Sequence, residues 1–314
     1  MKYVQFVNSV LKSIIQKENK LILFGQNINA ASCLSGLTRG LGNVNNGPTI
    51  NTQNSENTLV GVGFGLMLNN TSSIFFMKQM DFLLLGIDHL VNTYNIIRQK
   101  EPTASFTIFP INVDSGYEGP QSALNNFNDF CSIAGIDGYS FTNRNDTEQI
   151  LSKYLVLPGF RILSPSQRLL QKDMLELKVL NKHSNLWYFQ YEKGSAASIV
   201  CFNYSLPYGV TLHEELSRKN IHSSLFSVNS YSEFDYSDII KDISKTKKLV
   251  LIDDSKSRNR VSDKFLNLVY KTCKLDKNII IDRKYSEDQY FPRHDQLDID
   301  YMAVAEQLSG KKIN

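Results

Sequence analysis

The sequence of 314 residues is short of the features that mark secreted, membrane-bound or nucleic-acid-binding proteins. Its four cysteines, Cys33, Cys131, Cys201 and Cys273, lie far apart and form no CxxC or metal-ligand spacing. That excludes a disulfide framework and fits small thiols in a reduced, cytoplasmic compartment. No apolar run approaches the ~18 residues of a membrane span, and Met1 to Val10 holds no apolar signal core. The five histidines, His89, His183, His213, His222 and His294, show no paired ligand spacing. A formal charge of +3 is too small to argue for nucleic acid or an anionic membrane. One local basic run, Lys245 to Lys248 and then Lys256 to Arg260, reads as a solvated loop and helix start, with an anion site as the alternative.

What remains is an ordinary globular balance, 42 % hydrophobic and 21 % charged. At ~100–200 residues per domain, the length suggests two domains. Val4, Phe6, Val7, Val10, Leu11, Ile14 and Ile15 recur at helical spacing, with one face for a core. Leu21 to Phe24 reads as a buried strand ending at Gly25, and residues 26–54 form a polar loop long enough to be functional. Ser55 is a helix-cap candidate for the segment Glu56 to Leu68. Its glycines Gly61, Gly63 and Gly65 lie inside the helix, so they point to close packing against a neighbouring backbone rather than a dinucleotide loop.

Strands are expected at Ser73–Met77, Phe106–Val113 and Tyr139–Thr142, with helices at Asp81–Gln99 and 119–134 and a further one capped by Asn145 or Asp146. A second alternating unit follows, with strands at Ser198–Asn203, Ser224–Val228, Leu249–Asp253 and Asn278–Asp282. The expected fold is α/β, two doubly wound and mostly parallel sheets covered on both faces. The division expected is residues 1–165, a linker at 166–195 marked by proline and glycine punctuation, and residues 196–314.

Gly36-Leu-Thr-Arg-Gly-Leu-Gly42 and Ile50-Asn-Thr-Gln-Asn-Ser-Glu56 are followed by Asp81-Phe82 and then Ile87-Asp88-His89-Leu90-Val91-Asn92. Together these blocks resemble the beta subunit of the first component of pyruvate and branched-chain 2-oxo acid dehydrogenases, within the transketolase-like thiamine diphosphate enzymes. The spacings from Glu56 to Phe82 and from Phe82 to Asn92 fit that family without a gap, and Gly119-Pro120-Gln121-Ser122 resembles the start of its next loop. The specific motifs sit in residues 25–122. The second half is similar only in strand–helix order, like a transketolase C-terminal domain.

The resemblance implies a pyrimidine-binding domain and roles for two residues. Glu56 corresponds to the glutamate that hydrogen-bonds N1′ of the cofactor's aminopyrimidine and helps its exocyclic nitrogen take a proton. Phe82 corresponds to the aromatic residue packed on that ring, where offset stacking adds ~0.5–1.5 kcal/mol beyond burial. Read alone, Glu56 is better taken as a first-turn acid favoured by the helix dipole, and Phe82 as a core residue. Asp88 and Asn92, one helical turn apart, are read as supports of the fold or of an interface.

The sequence also departs from the family. Oxidative members carry histidine where Ser122 stands, beside Gln121, and a hydroxyl does not replace an imidazole near neutral pH. Gln121 and Ser122 are retained as candidate substrate-loop residues. Asp114, Tyr117 and Glu118 flank that loop without being assigned as acid or base. Gln26 and Asn27 replace an acidic pair, and Gln53 a proline. The superfamily's Gly-Asp-Gly motif for diphosphate and Mg2+ is missing. The metal site is therefore expected on an alpha-type partner, in an alpha2beta2 assembly acting on small molecules. The expected reaction is decarboxylation of a pyruvate-like 2-oxo acid and transfer of the activated aldehyde to a carbonyl acceptor. Alternatives are acylation of a lipoyl carrier, half of a split transketolase, or a non-catalytic structural partner.

Overall fold

The computed structural model describes residues 1–115, 127–232, 235–257, 259–283 and 297–310. They divide into two compact units, Met1–Glu176 and Leu177–Asn314. The boundary falls inside the stretch expected to be a linker. Leu170 and Lys172 still bond to the start of the first helix, and residues beyond 177 supply strands of the second sheet.

The first unit contains strands β1 (Ile22–Gly25), β2 (Thr49–Asn51), β3 (Ser73–Met77), β4 (Ser105–Pro110), β5 (Gly138–Ser140) and β6 (Gly159–Ser164). They form one all-parallel sheet in the order β2-β1-β3-β4-β6-β5. Strands β3 and β4 are buried along their whole length, as a sheet covered on both faces requires. Helices α1 (Tyr3–Ile15), α2 (Glu56–Leu68), α3 (Tyr94–Ile97), α4 (Phe127–Ala134) and α5 (Arg144–Tyr154) belong to this unit. All seven apolar residues expected on the core face of α1 are buried there.

Three local readings are corrected. The segment 81–99 is not one α-helix. It runs as a 3-10 turn over Met80–Gly86, a π turn over His89–Thr93, the short α3, and a final 3-10 turn. Helix α5 is capped by Asn143, whose side chain accepts from the N–H groups of Asn145 and Asp146, while Asp146 bonds back to the Asn143 N–H at 2.9 Å. Strands β2 and β6 were not anticipated.

Buried Arg161 closes the other end of α5. Its guanidinium donates to the carbonyls of Tyr154 at 3.1 Å and Pro158 at 2.7 Å. A cation at a helix C-terminus satisfies orphan carbonyls and opposes the dipole. Burial nevertheless lowers its pKa to about 10, against the raising influence of Asp137.

The second unit holds β7 (Asn181–Lys182), β8 (Tyr188–Glu192), β9 (Ala197–Phe202), β10 (Ser223–Val228), β11 (Lys248–Asp253) and β12 (Lys277–Ile281). Its helices are α6 (Leu206–Arg218), α7 (Ser237–Thr246), α8 (Val261–Thr272) and α9 (Tyr301–Ser309). The sheet order is β12-β11-β9-β10-β8-β7, parallel except that β8 runs antiparallel to β10 and to β7. Both sheets carry helices on both sides, so the chain has the expected doubly wound α/β fold with an unanticipated antiparallel edge.

The basic run is not simply solvated. Lys256 is buried, the Lys248 ammonium bonds to the Leu308 carbonyl at 2.6 Å, and Arg260 pairs with Asp263 and Asp282. Behind them, buried Asp253 accepts from the Ser262 hydroxyl at 2.6 Å and the Ser255 N–H at 2.9 Å. Loss of hydration outweighs those bonds and raises its pKa to about 6.

Candidate active site

Ligand crevices in open α/β sheets form outside the carboxyl ends of strands where successive connections diverge. In the first unit that place lies between β1, which leads to β2 on one side, and β3, which leads to β4 on the other. A recess of ≈ 260 Å3, counting its open mouth, sits there. Its walls are Gln26 after β1, Gln53 and Asn54 after β2, Glu56 and Leu59 of α2, the end of β3 from Phe75 onward, Lys78 and Gln79 just beyond, and Phe82.

Gly25 makes the turn at the end of β1. Its φ is +147°, and a Cβ there would lie 2.1 Å from the Phe76 carbonyl oxygen. Only glycine can hold the chain so close to β3 while releasing Gln26 toward the recess.

Helix α2 sets the position of Glu56. Val60, Gly63, Phe64 and Met67 form its buried face, and Gly63 lies directly against the Phe106 ring. Phe106 is itself enclosed by Phe64 and Phe160, with ring centroids 5.1 and 5.2 Å away. Gly61 faces the His89 ring, and Gly65 faces open space. The close packing expected of the helix glycines is thus against side chains, not a neighbouring backbone. His89 is held by Thr93, 2.8 Å from Nδ1, and serves as a packing partner of α2.

Ser55 occupies the cap position without capping. Its hydroxyl bonds to the Thr58 hydroxyl at 2.8 Å, and its side chain makes no cap bond to the helix. The first-turn N–H groups, which have no intrahelical partner in any α-helix, are thus not met by Ser55 and leave partial positive charge beside Glu56.

The structure brings Glu56 and Phe82 to the walls of the same recess, each half-buried. Glu56 comes from the first turn of α2, and Phe82 from the 3-10 turn that packs beside it. A carboxylate and an aromatic face on one small recess can hold a flat, nitrogen-containing ring by one hydrogen bond and one stacking contact. Asp88 and Asn92 are joined to each other at 2.5 Å, in keeping with a supporting part. Asp114 is fully buried and accepts from the Ser166 hydroxyl at 2.6 Å and the Arg168 N–H at 2.8 Å. Gln121, Ser122, Tyr117 and Glu118 lie outside the described residues. Among the described residues, no three histidine, cysteine or acidic side chains converge as a metal site, and no helix is long and apolar enough to cross a membrane.

Sequence reasoning noted Gln26 and Gln53 only as departures from the family pattern and assigned no site role to them, to Asn54, Lys78 or Gln79. Gln26, Gln53, Asn54 and Gln79 fall in or just outside the motif blocks, and Lys78 falls between them. Their shared signal was position at the carboxyl end of a strand, and β2, which places Gln53 and Asn54, was itself unexpected.

The fold is that of a transketolase-like α/β chain, and comparison with known proteins agrees. No protein-family model matches the chain. It is 19 % identical over 315 residues to the 2-oxoisovalerate dehydrogenase subunit beta of Bacillus subtilis (strain 168), covering 92 % of this chain and 90 % of that one. Among solved structures, a split-gene transketolase in the form of an inactive beta4 tetramer superposes with a TM-score of 0.68 at 10 % identity, covering 98 % of both chains. The transketolase of Campylobacter jejuni gives 0.67 at 10 % identity, where 98 % of this chain spans 45 % of the other. A 2-oxoglutarate:ferredoxin oxidoreductase from Magnetococcus marinus gives 0.63 at 7 % identity, with 98 % of this chain spanning 64 % of it. The beta-type resemblance carried by the motifs therefore reappears across nearly the whole chain.

Proposed function

We propose that the chain is the beta-type, pyrimidine-binding subunit of a two-subunit thiamine diphosphate enzyme. The observation that carries this reading is the placement of Glu56 and Phe82 on one recess at the strand-divergence point. When bound, thiamine diphosphate would supply the electron sink for cleaving a bond next to a carbonyl. Glu56 would accept a hydrogen bond from the ring nitrogen and hold a shared proton there. Phe82 would fix the ring plane, and α2, locked by Gly63 on Phe106, would hold Glu56 still.

With Gly-Asp-Gly missing from the sequence, the diphosphate and Mg2+ fall to an alpha-type partner, in an alpha2beta2 complex. The similarity to a dehydrogenase beta subunit of nearly equal length supports the same division of labour. Four free thiols fit assembly in the cytoplasm.

The reaction proposed is decarboxylation of a pyruvate-like 2-oxo acid followed by transfer to a carbonyl acceptor. Ser122, in place of a histidine, favours this over acylation of a lipoyl carrier. Half of a split transketolase is the second reading, favoured by the structural similarity to the split-gene beta chain. Coexpression with an alpha-type chain that carries Gly-Asp-Gly, followed by carbon dioxide release from pyruvate, tests the proposal. Release should require both chains and disappear in Glu56→Gln. Release unaffected by that substitution sinks the proton role, and turnover of a ketose phosphate instead of pyruvate selects the second reading.

A further inference from the structure

Among the described residues that line the recess, Glu56 and Lys78 are the charged ones. Lys78 follows directly on β3 and is solvent-exposed, one residue before buried Gln79. No ion pair to Glu56 forms across the recess. The first residue of α2, Glu56, lines the same space, and the N-terminus of that helix, where Ser55 makes no cap bond, adds a partial positive charge beside it, about half a unit in the helix-dipole description. The rest of the polar wall is neutral: Gln26, Gln53, Asn54 and Gln79.

This charge pattern changes once Glu56 is engaged. A glutamate sharing a proton with a ring nitrogen no longer offsets the ammonium. The recess is then left with Lys78 and the helix end, both positive, at an opening where a reacting molecule would enter. A lysine ammonium is a compact point charge on a flexible stem, with three donors that can meet an anion from several directions. Two positive features with amide donors around them suit a carboxylate or phosphate and disfavour a second cation.

We propose that Lys78 is the specificity residue of the recess, recognising a carboxylate or phosphate on the reacting substrate. This rests on the reading of Glu56 and Phe82 as the pyrimidine-binding pair. On it, Lys78 supplies the contact to the anionic group that both proposed substrates, a 2-oxo acid and a ketose phosphate, carry. Lys78 acts on binding and orientation, and takes no proton in the reaction.

The test uses the complex with its alpha-type partner and three proteins: the unaltered chain, Lys78→Met, which keeps the stem, and Lys78→Arg, which keeps the charge. Dissociation constants are measured by ligand-observed NMR for pyruvate and for inorganic phosphate, with the cofactor pyrimidine present at saturation so that Glu56 is engaged. The bare cofactor pyrimidine, which carries no negative charge, is titrated separately and reports on Glu56 and Phe82. Loss of one charge-assisted hydrogen bond predicts that Lys78→Met weakens the recognised anion by roughly tenfold or more, with Lys78→Arg recovering most of it. Pyruvate alone responding identifies a carboxylate, and phosphate alone identifies a phosphorylated substrate. Equal affinity of the unaltered chain and Lys78→Met for both anions, or no binding of either anion to the unaltered complex, overturns the proposal. Anion binding that depends on Lys78 in a complex that ignores the pyrimidine would instead leave Lys78 standing and remove the cofactor reading beneath it.

Discussion

Two glycines two residues apart on α2 should respond to the same substitution with opposite signs. A Cβ on Gly63 would lie 2.1 Å from Phe106 Cζ, 2.2 Å from Cε2 and 2.7 Å from Cδ2. Phe106 is fully buried between Phe64 and Phe160, so its ring has no empty space to enter. Overpacking of this kind costs ~3 kcal/mol at the upper end of its usual range. The better helix propensity of alanine returns ~1 kcal/mol, leaving Gly63→Ala destabilised by ~2 kcal/mol. A Cβ on Gly65 meets nothing within 4 Å. Gly65→Ala therefore keeps the full propensity gain of ~1 kcal/mol. For a unit of this size the Tm should fall by ~4–8 °C in the first variant and rise by ~2–4 °C in the second. Thermal unfolding of the purified chain, followed by circular dichroism, reads both. Shifts of equal sign and size would refute the packing account of α2, and with it the argument for how Glu56 is held.

Two further outcomes are expected. Phe82→Ala should raise the dissociation constant for thiamine diphosphate in the assembled complex by roughly 2–10-fold, the stacking share of the contact, while Phe82→Tyr should stay close to the unaltered protein; calorimetric titration compares them. Asp253, raised from 3.8 to about 6 by burial, binds its proton more tightly when folded, so it weakens the fold as pH rises from 4 through 6, with the full cost present above that range. With Asp254 raising and Arg260 lowering its pKa as secondary influences, the span corresponds to ~3 kcal/mol at most. Asp253→Asn should thus gain stability relative to the unaltered chain at pH 7.5 and lose that advantage at pH 4, measured by urea unfolding at both.

The parts of the fold legible in the sequence were those with a strong period or a long apolar run. Helix α1 announced its buried face, and β3, β9, β10 and β11 stood out as short apolar segments bounded by polar turns. What stayed hidden had weak local signals. Strand β2 is three residues, Thr49–Asn51, inside a polar loop, and exists because β1 pairs with it. Strand β8 contains Gln190 and follows a stretch of turn residues, yet it is fixed by antiparallel pairing with β10. The 81–99 segment carries helical spacing, but its contacts with α2 at Gly61 and Gly86 break it into tighter and wider turns.

The candidate site was legible for a different reason. Glu56 and Phe82 stood out through motif spacing, not through chemistry visible in either residue alone. Lys78 was not singled out, because exposed lysines occur everywhere on protein surfaces, and Gln26 and Gln53 stood out only as departures from the family pattern. Only the strand order, which brings the carboxyl ends of β1, β2 and β3 together, gives them a common recess.

The claim at the centre of this account is that the chain supplies half of a cofactor site. Calorimetric titration of thiamine diphosphate with Mg2+ into the isolated chain, and then into its complex with an alpha-type chain, tests it most directly. Tight binding in the complex, weakened in Glu56→Gln, with little or none in the isolated chain, is the predicted result. Equally tight binding by the isolated chain would contradict it.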